Sequence, residues 1–315
     1  MKDCDIIDTF RYQAKHTQVY ARYLDLLGVD PMQVNAPSSI PFLPIRFFKT
    51  HYVYNGRHPA CEVFTSSATT GMVPSRHPVD SLERYAQNVL EIFRFFYGDP
   101  SQYTILALLP SYMERKGSSL VYMMQVLMEH DNASRDGFYL YNRQALYEHL
   151  LLLAAQKKPV WLMGVSFALL DFSAEFTVHH PGLTVVETGG MKGRGAELTR
   201  QTLHRRIKEG FPESPVHSEY GMAELFSQAY SCNRDHFFRC PPGMQVKIRN
   251  LQDPFTEEPD GHRGGINIID LANRHSCSFI ETEDLGFRLS DGRFQVLGRI
   301  PHAERRGCNM LIDTD

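Results

Sequence analysis

Long hydrophobic runs are missing from this chain. None of its 315 residues falls in a stretch of the ~18 uninterrupted apolar residues that a membrane-spanning helix needs. That argues against integral membrane association. Charge of one sign is missing too: 33 Lys and Arg against 36 Asp and Glu leave a net charge of −3. Nucleic acid and anionic membrane surfaces, which attract a basic field, are therefore not the expected partners. Cysteine is sparse, with six in the whole chain, and the start MKDCDIIDTFRYQAKH has no apolar core of a signal peptide. A disulfide framework is not expected, and the reading is a soluble, reduced, cytoplasmic protein. Internal repeats, low-complexity tracts and the P-loop pattern GxxxxGK[ST] are also absent. What is present is globular: 43% hydrophobic and 22% charged residues, in a length that suggests about two units.

Apolar residues at helical spacing (Ile6, Ile7, Phe10, Tyr20, Tyr23, Leu24, Leu27) predict a helix over 5–27 that stops at Gly28. Residues 29–48, with Pro31, Pro37, Pro41 and Pro44, read as an extended connector. The middle alternates: helices over 81–97, 118–130, 142–156, 166–176 and 195–209, and strands over 103–109, 159–164 and 183–188. Such alternation predicts an α/β fold with a mostly parallel sheet covered by helices. After about residue 226 the runs MQVKIRN, GGINIIDL, CSFIETEDLGFRL and RFQVLGRI read as hairpins of a small β subdomain. The change of texture at Cys240-Pro241-Pro242-Gly243 divides the chain into an α/β region, 1–240, and a β-rich region with the C-terminal tail, 241–315.

Four segments carry chemistry. In Thr65-Ser66-Ser67-Ala68-Thr69-Thr70-Gly71 a strand end runs into small and hydroxylated residues. Backbone N–H groups and hydroxyls gathered there suit polyphosphate oxygens, although a Ser/Thr cluster is more often a solvated turn. Gly189 and Gly190 follow a strand, and glycines at the carboxyl end of a strand let a flat ligand approach. Tyr220-Gly221-Met222-Ala223-Glu224 puts a ring and a carboxylate four residues apart, able to stack on a base and hold Mg²⁺; a core Tyr and a surface Glu are the plain alternative. Asp284 in TEDLG can accept from ribose hydroxyls, and Arg299 can donate to the same sugar or to a phosphate.

In this order the four segments resemble the adenylate-forming superfamily of acyl-CoA synthetases, adenylation domains and luciferases, over about residues 60–300. The resemblance implies that Thr65, Ser66, Ser67, Thr69, Thr70 and Gly71 grip ATP phosphates, and that Gly189, Gly190, Tyr220 and Gly221 form the adenine pocket. Glu224 is implied as the Mg²⁺ ligand, and Asp284 and Arg299 as ribose contacts. It implies the large N-terminal domain of that fold with the small β subdomain. Since the chain stops soon after Arg299, the mobile C-terminal domain of the superfamily is expected to be absent. Within the superfamily, LPSYMERKGSSL at 109–120, GGMK at 189–192 and RRGC at 305–308 are similar to the short acyl-protein synthetase branch. Members of that branch make an acyl-adenylate and then carry the acyl group on a cysteine near the C-terminus. Cys308 is the implied nucleophile. Arg305 and Arg306 could lower its thiol pKa.

There are departures. Ala68 stands where the family loop has Gly, no Lys follows the loop, and Ala223 replaces a Thr. Lys192 is the candidate for the missing catalytic Lys. The expected activity is ATP- and Mg²⁺-dependent activation of a carboxylic acid, with a fatty acid as the leading candidate, then transfer to Cys308 or a partner thiol. An acyl-acceptor protein, an acyl carrier or a reductase are the implied partners, and a homo-oligomer is left open. The alternatives are an acyltransferase partner subunit or a nucleotide-binding protein with weak or no adenylation activity. Cys232, His236 and Cys240 form C-x3-H-x3-C, a spacing that could share a metal, with strand packing as the other reading. The basic helix at 195–209 reads as a solvated face, with docking of an acidic partner or a CoA phosphate as the other reading, and Tyr122, Met123, Met124 and Met128 as a core stripe or an acyl-pocket wall.

Overall fold

The computed structural model describes residues 1–66, 73–109, 116–131, 137–189, 198–233 and 235–300. The chain opens with α1 (Asp3–His16) and α2 (Gln18–Leu26), so the single helix expected over 5–27 is two. The break is at Thr17, which is extended (φ −89°, ψ 98°). Its buried hydroxyl donates to the Ser276 carbonyl at 3.0 Å, a tertiary bond that spacing along the chain does not reveal. Gly28 ends the segment with φ +68°, a conformation that favours glycine. The Pro-rich connector includes β1 (Leu43–Pro44) and α3 (Phe47–Thr50).

A hairpin follows, β2 (Glu62–Thr65) paired antiparallel with β3 (Arg76–Val79). Then come α4 (Leu82–Tyr97), β4 (Thr104–Leu108), α5 (Ser119–Glu129), α6 (Arg143–Ala155), β5 (Val160–Val165), α7 (Ser166–Glu175), β6 (Leu183–Thr188), α8 (Arg200–Gly210), β7 (Val216–Tyr220) and β8 (Ala229–Ser231). Side chains mark the helix starts: Ser81, Ser118 and Asn142 accept from the backbone N–H three residues on. The helix expected from 195 begins at Arg200, with Thr199 as its cap.

β4, β5, β6 and β7 lie parallel in that order, and β8 closes the edge antiparallel to β7. Every residue of β4 and β5 is buried, as expected of strands covered on both faces. Met123, Met124 and Met128 pack into this first core.

The second core is β-rich. Its sheet holds β9 (Met244–Arg249), β10 (Gly264–Asp270), β11 (Phe279–Arg288) and β12 (Phe294–Arg299), antiparallel in sequence. β11 is long enough to pair with β12 at one end and, parallel, with β1 at the other. Residues of α1 and α2 complete this core: Phe10 and Tyr20 meet Phe279, with ring centroids 5.9 and 6.2 Å away. Packing thus groups the chain start with the segments after 240. No helix among the described residues is long and apolar enough to cross a membrane.

Candidate nucleotide and acyl site

The site forms where the carboxyl ends of the parallel strands meet the second core. Tyr220 is the last residue of β7 and packs in the second core, 5.7 Å from Phe238 and 5.6 Å from Phe294. Its hydroxyl donates to Asp284 Oδ2 at 2.7 Å, a bond spanning 64 residues of sequence. Arg299 pairs with Asp284 in the β11–β12 register, and its Nε lies 3.8 Å from Asp284 Oδ1. Burial pushes the Asp284 carboxyl up, opposed by the Tyr220 hydroxyl and the Arg299 charge. Tyr220, Asp284 and Arg299, three residues named from sequence, are therefore one cluster.

Thr65 ends β2 and Ser66 follows it. Thr65 N donates to the Gly117 carbonyl at 2.7 Å, and Ser66 Oγ accepts from Ser75 N at 3.0 Å. The rest of that loop, Ser67, Ala68, Thr69, Thr70 and Gly71, lies outside the described residues, as do Gly190, Lys192 and Cys308. Gly189 follows β6 with φ +63°, its carbonyl 2.5 Å from the Ser166 hydroxyl. Gly221 is closely packed: a Cβ there would sit 2.3 Å from Glu219 Oε1, which would have to move.

Glu224 is buried, not the surface residue that spacing allowed. Burial pushes its carboxyl up, while the Ser75 hydroxyl, its own backbone N–H, Lys49 and Arg299 act to hold it charged. The turn that carries it is pinned from two directions. His77 of β3 puts Nδ1 2.7 Å from the Ala223 carbonyl and Nε2 3.0 Å from Asn273 Oδ1. Asn273 Nδ2 donates to the Glu224 carbonyl at 2.8 Å, and Asp270 accepts from the N–H groups of Phe226 and Ser227. The β2–β3 hairpin and the turn over 220–224 are thus tied by buried polar contacts.

Sequence reasoning missed the buried polar groups around this end of the sheet. Glu187 Oε2 lies 2.9 Å from the Ser166 hydroxyl, and Arg200 Nε donates to Glu187 Oε1 at 3.4 Å. His204 Nε2 is 2.9 Å from Ser218 Oγ. Arg200 and His204 therefore turn inward on a helix expected to be a solvated face, because a buried carboxylate lies beneath it. On the opposite face, Glu219 is buried and accepts from Thr188 Oγ1. A charged residue inside the strand run VHSEY was the available signal.

Among the described residues no three metal-ligating side chains assemble, so Cys232, His236 and Cys240 do not form a metal cluster. Cys232 Sγ instead lies 3.6 Å from the Tyr97 hydroxyl, and burial pushes the Cys240 thiol up to about 12.

A family model described as acyl-protein synthetase, LuxE, matches residues 1–315. No curated protein matches the chain in sequence. Among solved structures, 2-hydroxyisobutyryl-CoA ligase in complex with 2-HIB-AMP and CoA is similar at a TM-score of 0.69 and 16% identity, covering 95% of this chain and 68% of that one. ATP-bound MatB from Rhodopseudomonas palustris is similar at 0.55 and 16%, covering 75% and 47%. The luciferase-like enzyme from the nonluminescent mealworm Zophobas morio is similar at 0.52 and 16%, covering 76% and 57%. The chain thus spans about half the length of MatB. At such identities the likeness is one of fold, and the fold is that of adenylate-forming enzymes.

Proposed function

The chain belongs to the acyl-protein synthetase family, and from that premise we propose that it activates a carboxylic acid with ATP and passes the acyl group to a thiol. The observation that carries this reading is the Tyr220–Asp284–Arg299 cluster beside the buried Glu224. It supplies a ring for a base, hydrogen-bonding groups for a ribose, and a carboxylate near where phosphates would lie.

In the first half-reaction a carboxylate oxygen bonds to the α-phosphorus of ATP, the bond to the β-phosphate bridge breaks, and diphosphate leaves. Two anions must meet, so the protein contributes positioning and positive charge. Thr65, Ser66, Ser67, Thr69, Thr70 and Gly71 would hold the departing phosphates. Lys192 would neutralise charge at the α-phosphate. Gly189, Gly190, Tyr220, Gly221, Asp284 and Arg299 would hold the nucleoside.

Mg²⁺ fits Glu224: a hard cation with one carboxylate and phosphate oxygens is a common arrangement. The buried Ser75 hydroxyl, which helps to hold Glu224 charged, is a further oxygen nearby. When bound, the ion would offset charge on the phosphates. In the second half-reaction a thiolate attacks the acyl carbonyl, the carbon–oxygen bond to AMP breaks, and a thioester remains. Burial pushes the Cys240 and Cys277 thiols up to about 12 and raises Cys232, which makes these three poor nucleophiles at neutral pH. Cys308 is the proposed acceptor, with a carrier or partner thiol beyond it. A fatty acid is the substrate that the family likeness suggests.

ATP–diphosphate exchange with Mg²⁺ across a panel of carboxylic acids tests the first step. Acid-dependent exchange in the wild type, reduced at least a hundredfold in Glu224→Gln, is expected. A folded protein that exchanges with no acid would defeat the reading. Ala223, which lacks the hydroxyl of the family Thr, favours a second reading as an acyltransferase subunit. Cys308 gaining acyl mass from an acyl donor without ATP would identify that one, with Cys308→Ser as control.

A further inference from the structure

Two acceptors are buried together beside the proposed active site, and the first half-reaction uses neither. Glu219 pairs in register with Thr188 on one side and Tyr230 on the other. These three side chains share one face of the sheet. The Glu219 carboxyl is 7% exposed, and its hydrogen-bond donor among the described residues is the Thr188 hydroxyl. Gln228 is 5% exposed; its Nε2 donates to the Phe226 carbonyl at 3.1 Å, and its Oε1 has no partner among the described residues. Both side chains converge on Gly221: a Cβ there would lie 2.3 Å from Glu219 Oε1 and 3.2 Å from Gln228 Cγ.

The surroundings are aromatic. Phe64 of β2 meets Tyr85 of α4 at 4.9 Å and Tyr122 of α5 at 5.9 Å, and Tyr85 meets Phe226 at 5.3 Å. Phe64 lies one residue before the phosphate loop, and Gly221 lies one residue after Tyr220. A cluster of buried rings, with two acceptors at one end, therefore lies next along the chain to the segments proposed to hold ATP.

Resting on the acyl-activating reading above, we propose that Glu219 and Gln228 set specificity and select an acid that carries a hydrogen-bond donor, a hydroxyl or an ammonium, in addition to its carboxylate. A plain alkyl chain laid against these groups would leave Gln228 Oε1 unmatched and offer Glu219 no donor beyond the Thr188 hydroxyl, and a buried acceptor without a donor is costly. A donor on the acid satisfies them. Sites built to hydrogen-bond one substrate group discriminate strongly against the analogue that lacks it. Burial, the largest effect, raises the Glu219 carboxyl to about 7, so it takes a neutral hydroxyl or a cation with little added desolvation cost. The substrate then differs from the plain fatty acid suggested by likeness.

The test is ATP–diphosphate exchange with pairs of acids of equal chain length that differ by one hydroxyl or amino group. It is run on wild type, Glu219→Met and Gln228→Met. The wild type is expected to favour the best donor-bearing acid over its plain partner by about tenfold or more in kcat/KM. Either variant is expected to bring that preference to within about twofold, with most of the loss on the donor-bearing acid. Gln228→Met keeps the test open should Glu219→Met fail to fold. Exchange that is equal or better with plain acids overturns this proposal and leaves adenylation standing. So do variants that weaken both members of a pair equally. Exchange with no acid overturns both.

Discussion

Glu187 and Glu219 stand on neighbouring strands at the same end of one sheet. Both are buried, at 4% and 7% exposure, yet their surroundings drive them apart. Glu187 points to the α8 side. Burial alone would raise its carboxyl, but His204, Arg200 and Ser218 together hold it below the ordinary range. Glu219 points to the α4 side. Burial, the largest effect, lifts it to about 7; the Thr188 hydroxyl opposes that, and the Glu187 charge adds to it. Tyr85 and Tyr230 face it, and no cation contributes. One face of the strand pair is built to keep a charge. The other holds a group that is neutral as often as charged near neutral pH. Burial sets the cost of a charge, and the neighbours decide whether it is met.

The largest way to break this contrast is Glu187→Leu. It strands the Arg200 guanidinium, 23% exposed, over an apolar face and should cost about 3 kcal/mol or more in urea unfolding at pH 7. Glu219→Leu at pH 8 should cost far less or stabilise, because it removes a carboxylate that has no cation. A result of equal loss for the two would erase the distinction.

Next is pH. Glu219 has its folded pKa raised, so the folded state binds more protons than the unfolded state between about 4.5 and 7. Its contribution is present below that window and is lost as pH rises through it, by about 3 kcal/mol in total. The stability of wild type relative to Glu219→Gln should therefore fall across that range and level off above it. A flat difference would mean that Glu219 titrates normally. A smaller effect is expected from Gly221→Ala, which drives a methyl against Glu219 Oε1 and should cost about 1–3 kcal/mol. In a Glu219→Ser background that cost should shrink, since the colliding atom is gone. The smallest concerns Arg299, 78% exposed: Arg299→Ala should change stability by less than about 0.5 kcal/mol while raising KM for ATP several-fold. A large loss of stability with an unchanged KM would remove it from the proposed nucleotide contacts.

Much of the fold was legible. The helices expected from 81, 118 and 142 begin one residue later, capped by Ser81, Ser118 and Asn142, and the strand expected over 159–164 is the fully buried Val160–Val165. The two-helix break at Thr17 was not legible, because its cause is a bond to residue 276. Nor was the share of the N-terminal helices in the second core, since an apolar stripe does not name what it packs against. In the candidate site, Tyr220 and Asp284 were legible as members of an ordered set of motifs, but their 2.7 Å contact was not. His77, Asn273 and Asp270 gave no sign, because a polar residue that holds a turn from across the molecule has no local pattern.

By itself the sequence determined the alternation of strands and helices, the glycines at turns, and the ordered motifs that mark the family. These follow from local free energies: side-chain periodicity, capping hydroxyls and the backbone freedom of glycine. The tertiary structure alone decided which carboxyls are buried, that Glu187 meets Arg200 and His204 while Glu219 faces Tyr85 and Tyr230, and that Tyr220 reaches Asp284. Desolvation and pairing depend on atoms brought from far along the chain, and so does the chemistry of the site.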